Sequence, residues 1–282
     1  MTPLDPAGPN ASQVEYWNVT AGPNWVASQE ARDIELAPWG LKAMEALGPA
    51  PGARIIDVGC GCGATSLELA RRVGPGGDVL GADISAPMLA VARRRAETEG
   101  LAQARFIQAD AQTHAFEPAD GVFSRFGVMF FADPVAAFAN LRRAMKPAGR
   151  LGFVCWRPME MNAWVSVPMS AVARVLSEPP PPAPPGAPGP FAFADADRVR
   201  RILEDAGWRG VEIVAHDMNT SWGDLEASTR TSLTIGPVAS AVRLNPRLAD
   251  RMADAVRAAL APYDTPKGVL LDSSAWVVRA AA

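Results

Sequence analysis

Between residues 54 and 156 one pattern recurs: a short β-branched or apolar run, a turn, then a stretch with helical spacing. Residues 54–58, 79–83, 105–109, 121–125 and 151–156 read as strands. Helical patterns fill 64–73, a stretch from Ser85 to about Gly100, and a stretch from Asp133 to about Met145. Ser85 is expected to cap its helix and Pro87 to sit in the first turn. Such alternation predicts a parallel sheet covered by helices, because parallel strands need long crossovers.

The flanks are less regular. Residues 1–24 are rich in Pro, Gly and Asn and are expected to form an irregular arm with at most a helical turn. Helical spacing runs from Trp25 to Leu47, with a break expected at Pro38. After Trp156 the alternation fails, and Glu178 to Pro190 is an extended, proline-rich spacer. A helix is expected over 197–206, a strand over 211–215, largely helical structure over 222–262 and a last strand over 276–279. The expected division is an arm with helices (1–49), an α/β core (50–157), an insertion (158–196), a return to the core (197–221), a helical insertion (222–267) and a last core strand (268–282).

The segment from Asp57 to Gly63 reads Asp-Val-Gly-Cys-Gly-Cys-Gly and lies where the first strand passes into a helix. In an open parallel sheet, ligands bind outside the carboxyl ends of the strands, near the point where strand order reverses. Glycines there let a ligand lie against bare backbone. The spacing is G-x-G-x-G, whereas dinucleotide sites use G-x-G-x-x-G to offer helix amides to a pyrophosphate. Asp57 would oppose a pyrophosphate and suits a cofactor carrying an ammonium and no phosphate, such as S-adenosylmethionine. Asp83 ends the second strand and can accept from a ribose diol. Asp110 follows the third and can accept from an adenine amino group. Each acid could be a plain turn residue; at three successive strand ends, beside the glycines, they point to one adenosyl ligand.

With these motifs the sequence resembles the class I S-adenosylmethionine-dependent methyltransferases, in particular the small-molecule branch that includes bacterial quinone-ring methyltransferases. The matching segments are 56–63, 81–85, 108–111, 123–126 and 141–149, and the resemblance is strong over about residues 50–157. It implies a doubly wound, mostly parallel, seven-stranded Rossmann-like sheet, with a helical cap formed by the two insertions. It also implies that Gly59, Gly61 and Gly63 approach the methionine portion and ribose, and that Asp57 lies near the amino-acid end. By the same resemblance Asp83 holds the ribose hydroxyls, Ile84 packs on adenine, Asp110 and Ala111 meet its edge, and Ser124 lies beside the cofactor near the acceptor. Similar proteins often read Lys-Pro-Gly-Gly where this chain has Lys146-Pro147-Ala148-Gly149, a change confined to a turn.

Methyl transfer from a sulfonium needs alignment and water exclusion more than a nucleophilic side chain. A base is needed only if the acceptor must lose a proton. Tyr16 is a candidate for closing over the cofactor, and His114, after the third strand, for facing the acceptor; His216 is weaker. Tyr16 with Trp17 equally reads as an arm anchor, and His114 as a loop residue. Trp156, Met159, Met161, Trp164, Met169 and Trp222 either wall an apolar acceptor pocket or form the core of a cap. The expected acceptor is therefore a small, largely apolar molecule, methylated on carbon or oxygen.

Net charge is −3, which argues against a nucleic-acid partner. No apolar run is long enough for a membrane span, and the N-terminal residues lack the features of a signal peptide. Three cysteines do not make a disulfide framework. Cys60 and Cys62 are C-x-C rather than the C-x₂₋₄-C of zinc sites, so no metal is expected. The expectation is a cytoplasmic enzyme, monomeric or homodimeric. Two other readings compete. A nicotinamide-dependent oxidoreductase would need the longer glycine spacing and a Tyr-Lys relay, neither of which is found. A non-catalytic adenosylmethionine-binding module would bind the cofactor without turnover.

Overall fold

A computed structural model describes residues 4, 7–176, 184 and 186–282. The proline-rich spacer expected over 178–190 lies largely outside them. The chain opens with α1 (Ala11–Glu15), a π-helical turn (Tyr16–Thr20), α2 (Ala21–Ala27) and α3 (Gln29–Leu47). There follow β1 (Arg54–Val58), α4 (Ala64–Val73), β2 (Asp78–Asp83), α5 (Ala86–Thr98), β3 (Ala104–Gln108) and β4 (Ala119–Arg125). Next come α6 (Pro134–Arg143), β5 (Met145–Trp156), α7 (Ala163–Ala173), α8 (Ala196–Asp205) and β6 (Arg209–Ser221). The last elements are α9 (Leu225–Thr234), α10 (Pro237–Leu244), α11 (Ala249–Leu260), β7 (Asp264–Thr265) and β8 (Gly268–Ala281).

The sheet runs β3-β2-β1-β4-β5-β8-β6, with the short β7 pairing only with β8. Strands β1 to β5 are parallel. β8 is antiparallel to both β5 and β6. The expected doubly wound, mostly parallel sheet of seven principal strands is thus present. Chain order reverses beside β1, so the carboxyl ends of β1, β2 and β4 converge on one crevice, the place where such sheets take ligands.

Several boundaries differ from expectation. Residues 11–24 are helical rather than irregular, and polar side chains of the arm find partners on the sheet edge. Pro38 lies inside α3 and does not break it. Its ring frees the carbonyl of Ile34, a residue 77% exposed, while the opposite face buries Trp39, Ala43, Met44 and Leu47. The Asp133 helix stops at Arg143, since Met145 already pairs with Ala119 and residues 146–149 form a bulge before Arg150 meets Gly121. Ser85 does not cap α5 with its side chain; its hydroxyl donates to the Trp17 carbonyl at 2.8 Å. The last two long strands, β6 and β8, extend well past the apolar runs that marked them, because their polar residues pair across an edge ribbon.

Two large apolar cores result, beside a small cluster of Cys62, Met88 and Val91 on which Trp17, Trp25 and Val26 of the arm pack. The larger lies between the sheet and its helices and takes in Trp39, Phe123, Phe138, Phe153 and Phe193. The smaller, with Trp222, Met252, Val256 and Leu260, holds α7, α9, α10 and α11 together as a cap. Trp164 and Met169 pack on the cap core, whereas Trp156 belongs to the main one.

Candidate active site at the carboxyl ends of β1, β2 and β4

The loop from Gly59 to Gly63 joins β1 to α4. Gly59, Gly61 and Gly63 have φ of 68°, 55° and 85°, the left-handed region that side chains resist. A Cβ on Gly59 would also lie 2.7 Å from Gly127 Cα, so two loops meet there backbone to backbone. The loop amides are mostly engaged. Gly59 N–H donates to the Ala82 carbonyl at 2.8 Å and Gly63 N–H to the Cys60 carbonyl at 3.0 Å. Gly61 N–H donates to Asp83 Oδ2 at 2.7 Å. The second Asp83 oxygen accepts from Ser85 N–H at 2.8 Å. Burial raises the Asp83 carboxyl, and these amides pull it back.

Asp57 is wholly buried beneath the loop. Its Oδ2 accepts from Thr65 Oγ1 at 2.7 Å and Ser66 Oγ at 2.6 Å, anchoring the first turn of α4. Its Oδ1 has no partner among the described residues. Desolvation pushes the Asp57 carboxyl up to about 6, against the two hydroxyls and Arg125. Ser124 is equally buried; its Oγ donates to the Val58 carbonyl at 2.7 Å and accepts from Gly127 N–H at 3.2 Å. Ser124 thus ties the end of β4 to the end of β1.

The arm closes over the crevice. Asn10 Nδ2 donates to both Asp110 oxygens, at 3.0 and 2.9 Å, and to Gln112 Oε1 at 3.1 Å. Asn10 Oδ1 accepts from Ala132 N–H at 2.7 Å. Asn18 Nδ2 donates to the Ile84 carbonyl, which also accepts from Gln108 Nε2, both at 3.0 Å. Ala111 is buried, and its carbonyl accepts from Asn140. Tyr16 sits in the arm edge-on to Trp17, with the Arg243 guanidinium of α10 5.7 Å from its ring, so it bridges arm and cap. His114 packs edge-on against Phe116 in the loop after β3. His216 lies within β6 at the sheet edge, away from this crevice. Cys60, Cys62 and Cys155 are buried free thiols, and burial raises all three, Cys62 to about 12.

A second polar group lies beside the end of β4 and was not expected. Arg32 and Glu35, each 4% exposed, pair at 2.7 and 3.0 Å on α3. The Arg32 guanidinium stands 5.3 Å from the Trp222 ring and donates to Thr231 Oγ1 at 3.2 Å. Burial holds Glu35 well above the ordinary carboxylate range, against the pull of Arg32 and Arg125. In sequence an Arg and a Glu three apart read as a solvated helix face, and nothing local marks this pair as buried.

The site suits an adenosyl ligand without phosphate. A phosphate cradle needs free loop amides, and here those of Gly59, Cys60, Gly61 and Gly63 are already bonded, one of them to the Asp83 carboxylate. The orphaned Asp57 oxygen fits an ammonium, and Asp83 and Asp110 suit hydroxyl or amino donors.

The fold and this crevice are of the doubly wound, Rossmann-like α/β type. Residues 55–149 match a family described as "Methyltransferase domain". The demethylmenaquinone methyltransferase of Thermus thermophilus is 40% identical over 141 residues, 49% of this chain and 63% of that one. The nocamycin O-methyltransferase of Saccharothrix syringae is 33% identical over 141 residues, 49% of this chain and 50% of that one. The chain thus spans between half and 63% of the length of these relatives. The YcgJ protein from Bacillus subtilis shares the fold, with a TM-score of 0.56 over 86% of this chain and 97% of that one at 16% identity.

Proposed function

We propose that this protein is an S-adenosylmethionine-dependent methyltransferase that moves a methyl group by in-line displacement to carbon or oxygen of a small, largely apolar acceptor. The observation that carries this reading is the glycine loop, whose amides are mostly spent internally and whose rim is carboxylate. S-adenosylmethionine supplies a methyl carbon on a sulfur whose positive charge already activates the leaving group. The chain's own residues have to hold and align. Asp83 takes the ribose hydroxyls, Ile84 the adenine face, and Asp110 with Ala111 the adenine edge. Asp57 and the glycines take the amino-acid end, and Ser124 fixes the loop nearest the acceptor. Alignment of this kind can supply roughly 7–11 kcal/mol of barrier lowering.

The acceptor enters from the cap side, where the insertions over 158–196 and 222–267 bring Trp164 and Trp222 to the end of β5. No helix among the described residues is long and apolar enough to cross a membrane. On this reading the enzyme works in the cytoplasm as a monomer or homodimer, without a nucleic-acid partner; the slightly acidic net charge agrees. Calorimetry with S-adenosylmethionine, S-adenosylhomocysteine and NAD tests the cofactor assignment: the first two should bind and NAD should not. Tight NAD binding with no response to the methyl donor would reverse it. A metabolite extract incubated with isotopically labelled methyl donor then identifies the acceptor by the mass of the labelled product.

A further inference from the structure

Arg32, Glu35 and Trp39 lie at i, i+3 and i+7, on one stripe of α3. All three are at least nine-tenths buried, and their polar atoms are poorly served. Arg32 Nε and Trp39 Nε1 have no partner among the described residues, and Glu35 Oε2 meets only Arg32, outside hydrogen-bonding geometry. Native interiors rarely leave such groups unmatched, and a buried charge pair is costly to desolvate. A continuous aromatic wall flanks this stripe. Trp222 stacks on Trp164 at 5.0 Å, Trp164 meets Trp156 at 5.1 Å, and Trp156 stacks on Phe126 at 3.9 Å. Trp39 stands edge-on to both Phe126 and Trp156, closing the wall onto the helix. Phe126 and Trp156 sit at the carboxyl ends of β4 and β5, next to Ser124 and the candidate cofactor loop. A cavity of about 40 Å³ touches Arg32, Trp164, Trp222 and Thr231.

We infer that Arg32 and Glu35 are the proton-handling pair of the acceptor subsite, and that the acceptor is a planar phenol or enol. This rests on the methyltransferase reading and deepens it. The acceptor O–H bond breaks, its proton passes to the Glu35 carboxylate, and the electron pair stays on the acceptor oxygen. The Arg32 guanidinium, released from Glu35 as that group becomes neutral, holds the oxyanion. The aromatic wall stacks the ring. Glu35 is poised for this because burial raises its affinity for a proton toward that of a phenolate. The charged groups around it are Arg32 and Asp33 on α3, Arg125 at the end of β4, and Arg95 of α5, which pairs with Asp33 at 2.9 Å. Asp57 faces Arg125 from β1, and α9 contributes only the Thr231 hydroxyl.

The probe is 1-naphthol, titrated into the full-length protein saturated with S-adenosylhomocysteine and followed by naphtholate absorbance across pH. The wild type should ionise bound naphthol at least about one pH unit below its free value, a tenfold shift. Glu35→Gln should bind naphthol but leave it neutral at that pH, Glu35→Asp should keep the shift, and Arg32→Met should lose both tight binding and the shift. A wild type that binds S-adenosylhomocysteine but not naphthol, or leaves naphthol at its free ionisation, overturns the inference, as does a Glu35→Gln profile matching the wild type. If the variants misfold, a wild type that leaves bound naphthol at its free ionisation still overturns the inference. Failure to bind S-adenosylhomocysteine instead sinks the methyltransferase reading itself.

Discussion

Ala148 has φ of 64° in the bulge that opens β5 and is exposed there. An L-residue with a Cβ is strained in that conformation, and glycine is not. Ala148→Gly should therefore stabilise the protein by roughly 0.5–1 kcal/mol in urea unfolding, net of glycine's greater unfolded-state freedom. Asp57 gives a second prediction at this scale. Its carboxyl is raised from 3.8 to about 6, so the folded protein holds that proton more tightly than the unfolded chain does. The sign follows: Asp57 favours folding most below about pH 4, and the advantage is lost as pH rises to about 6. A bound ammonium prefers the ionised form, so affinity for S-adenosylhomocysteine should climb with pH through that window and level off above it. Calorimetry across pH should show the climb in the wild type and flatten it in Asp57→Asn. The strand-end acids were readable in the sequence because each follows an apolar run. Arg32 and Glu35 were not, since a helix carrying Glu30, Arg32, Asp33 and Glu35 looks solvated until its neighbours in space are known.

The arm is the element whose character was least readable. Its Pro, Gly and Asn content signals loop, yet Asn10, Trp17 and Asn18 find partners at the ends of β2 and β3 and beyond β4, partners 66 to 122 positions away. Local propensity is a weak prior against such tertiary contacts. Asn10→Ala removes the amide from Asp110, Gln112 and Ala132, each bond being worth about 1 kcal/mol. Limited proteolysis should then cut the arm faster in the variant than in the wild type, with the sheet left intact. Pro38 misled in the same way. As an isolated signal it ends a helix, but α3 also packs against β4, β5 and β8, and that apolar face sets its length.

At the scale of the whole molecule, the two apolar cores predict two levels of stability. Met252 is fully buried in the cap, and Met252→Ala should cost about 2–5 kcal/mol there. Hydrogen exchange should quicken in α7, α9 and α11 while β1 to β5 keep their protection, and S-adenosylhomocysteine binding should persist. The α/β alternation was readable because each strand and crossover carries its own period. The seating of β8 between β5 and β6 was not, because strand order is a matter of pairing over long distances rather than of local pattern. That seating bears on synthesis. As the nascent chain leaves the ribosome, β6 emerges before β8 and has no neighbour to pair with until residues 268–281 appear. The growing polypeptide must therefore shelter an unpaired ribbon through the making of the cap, and the sheet closes only when the final strand slides into the gap.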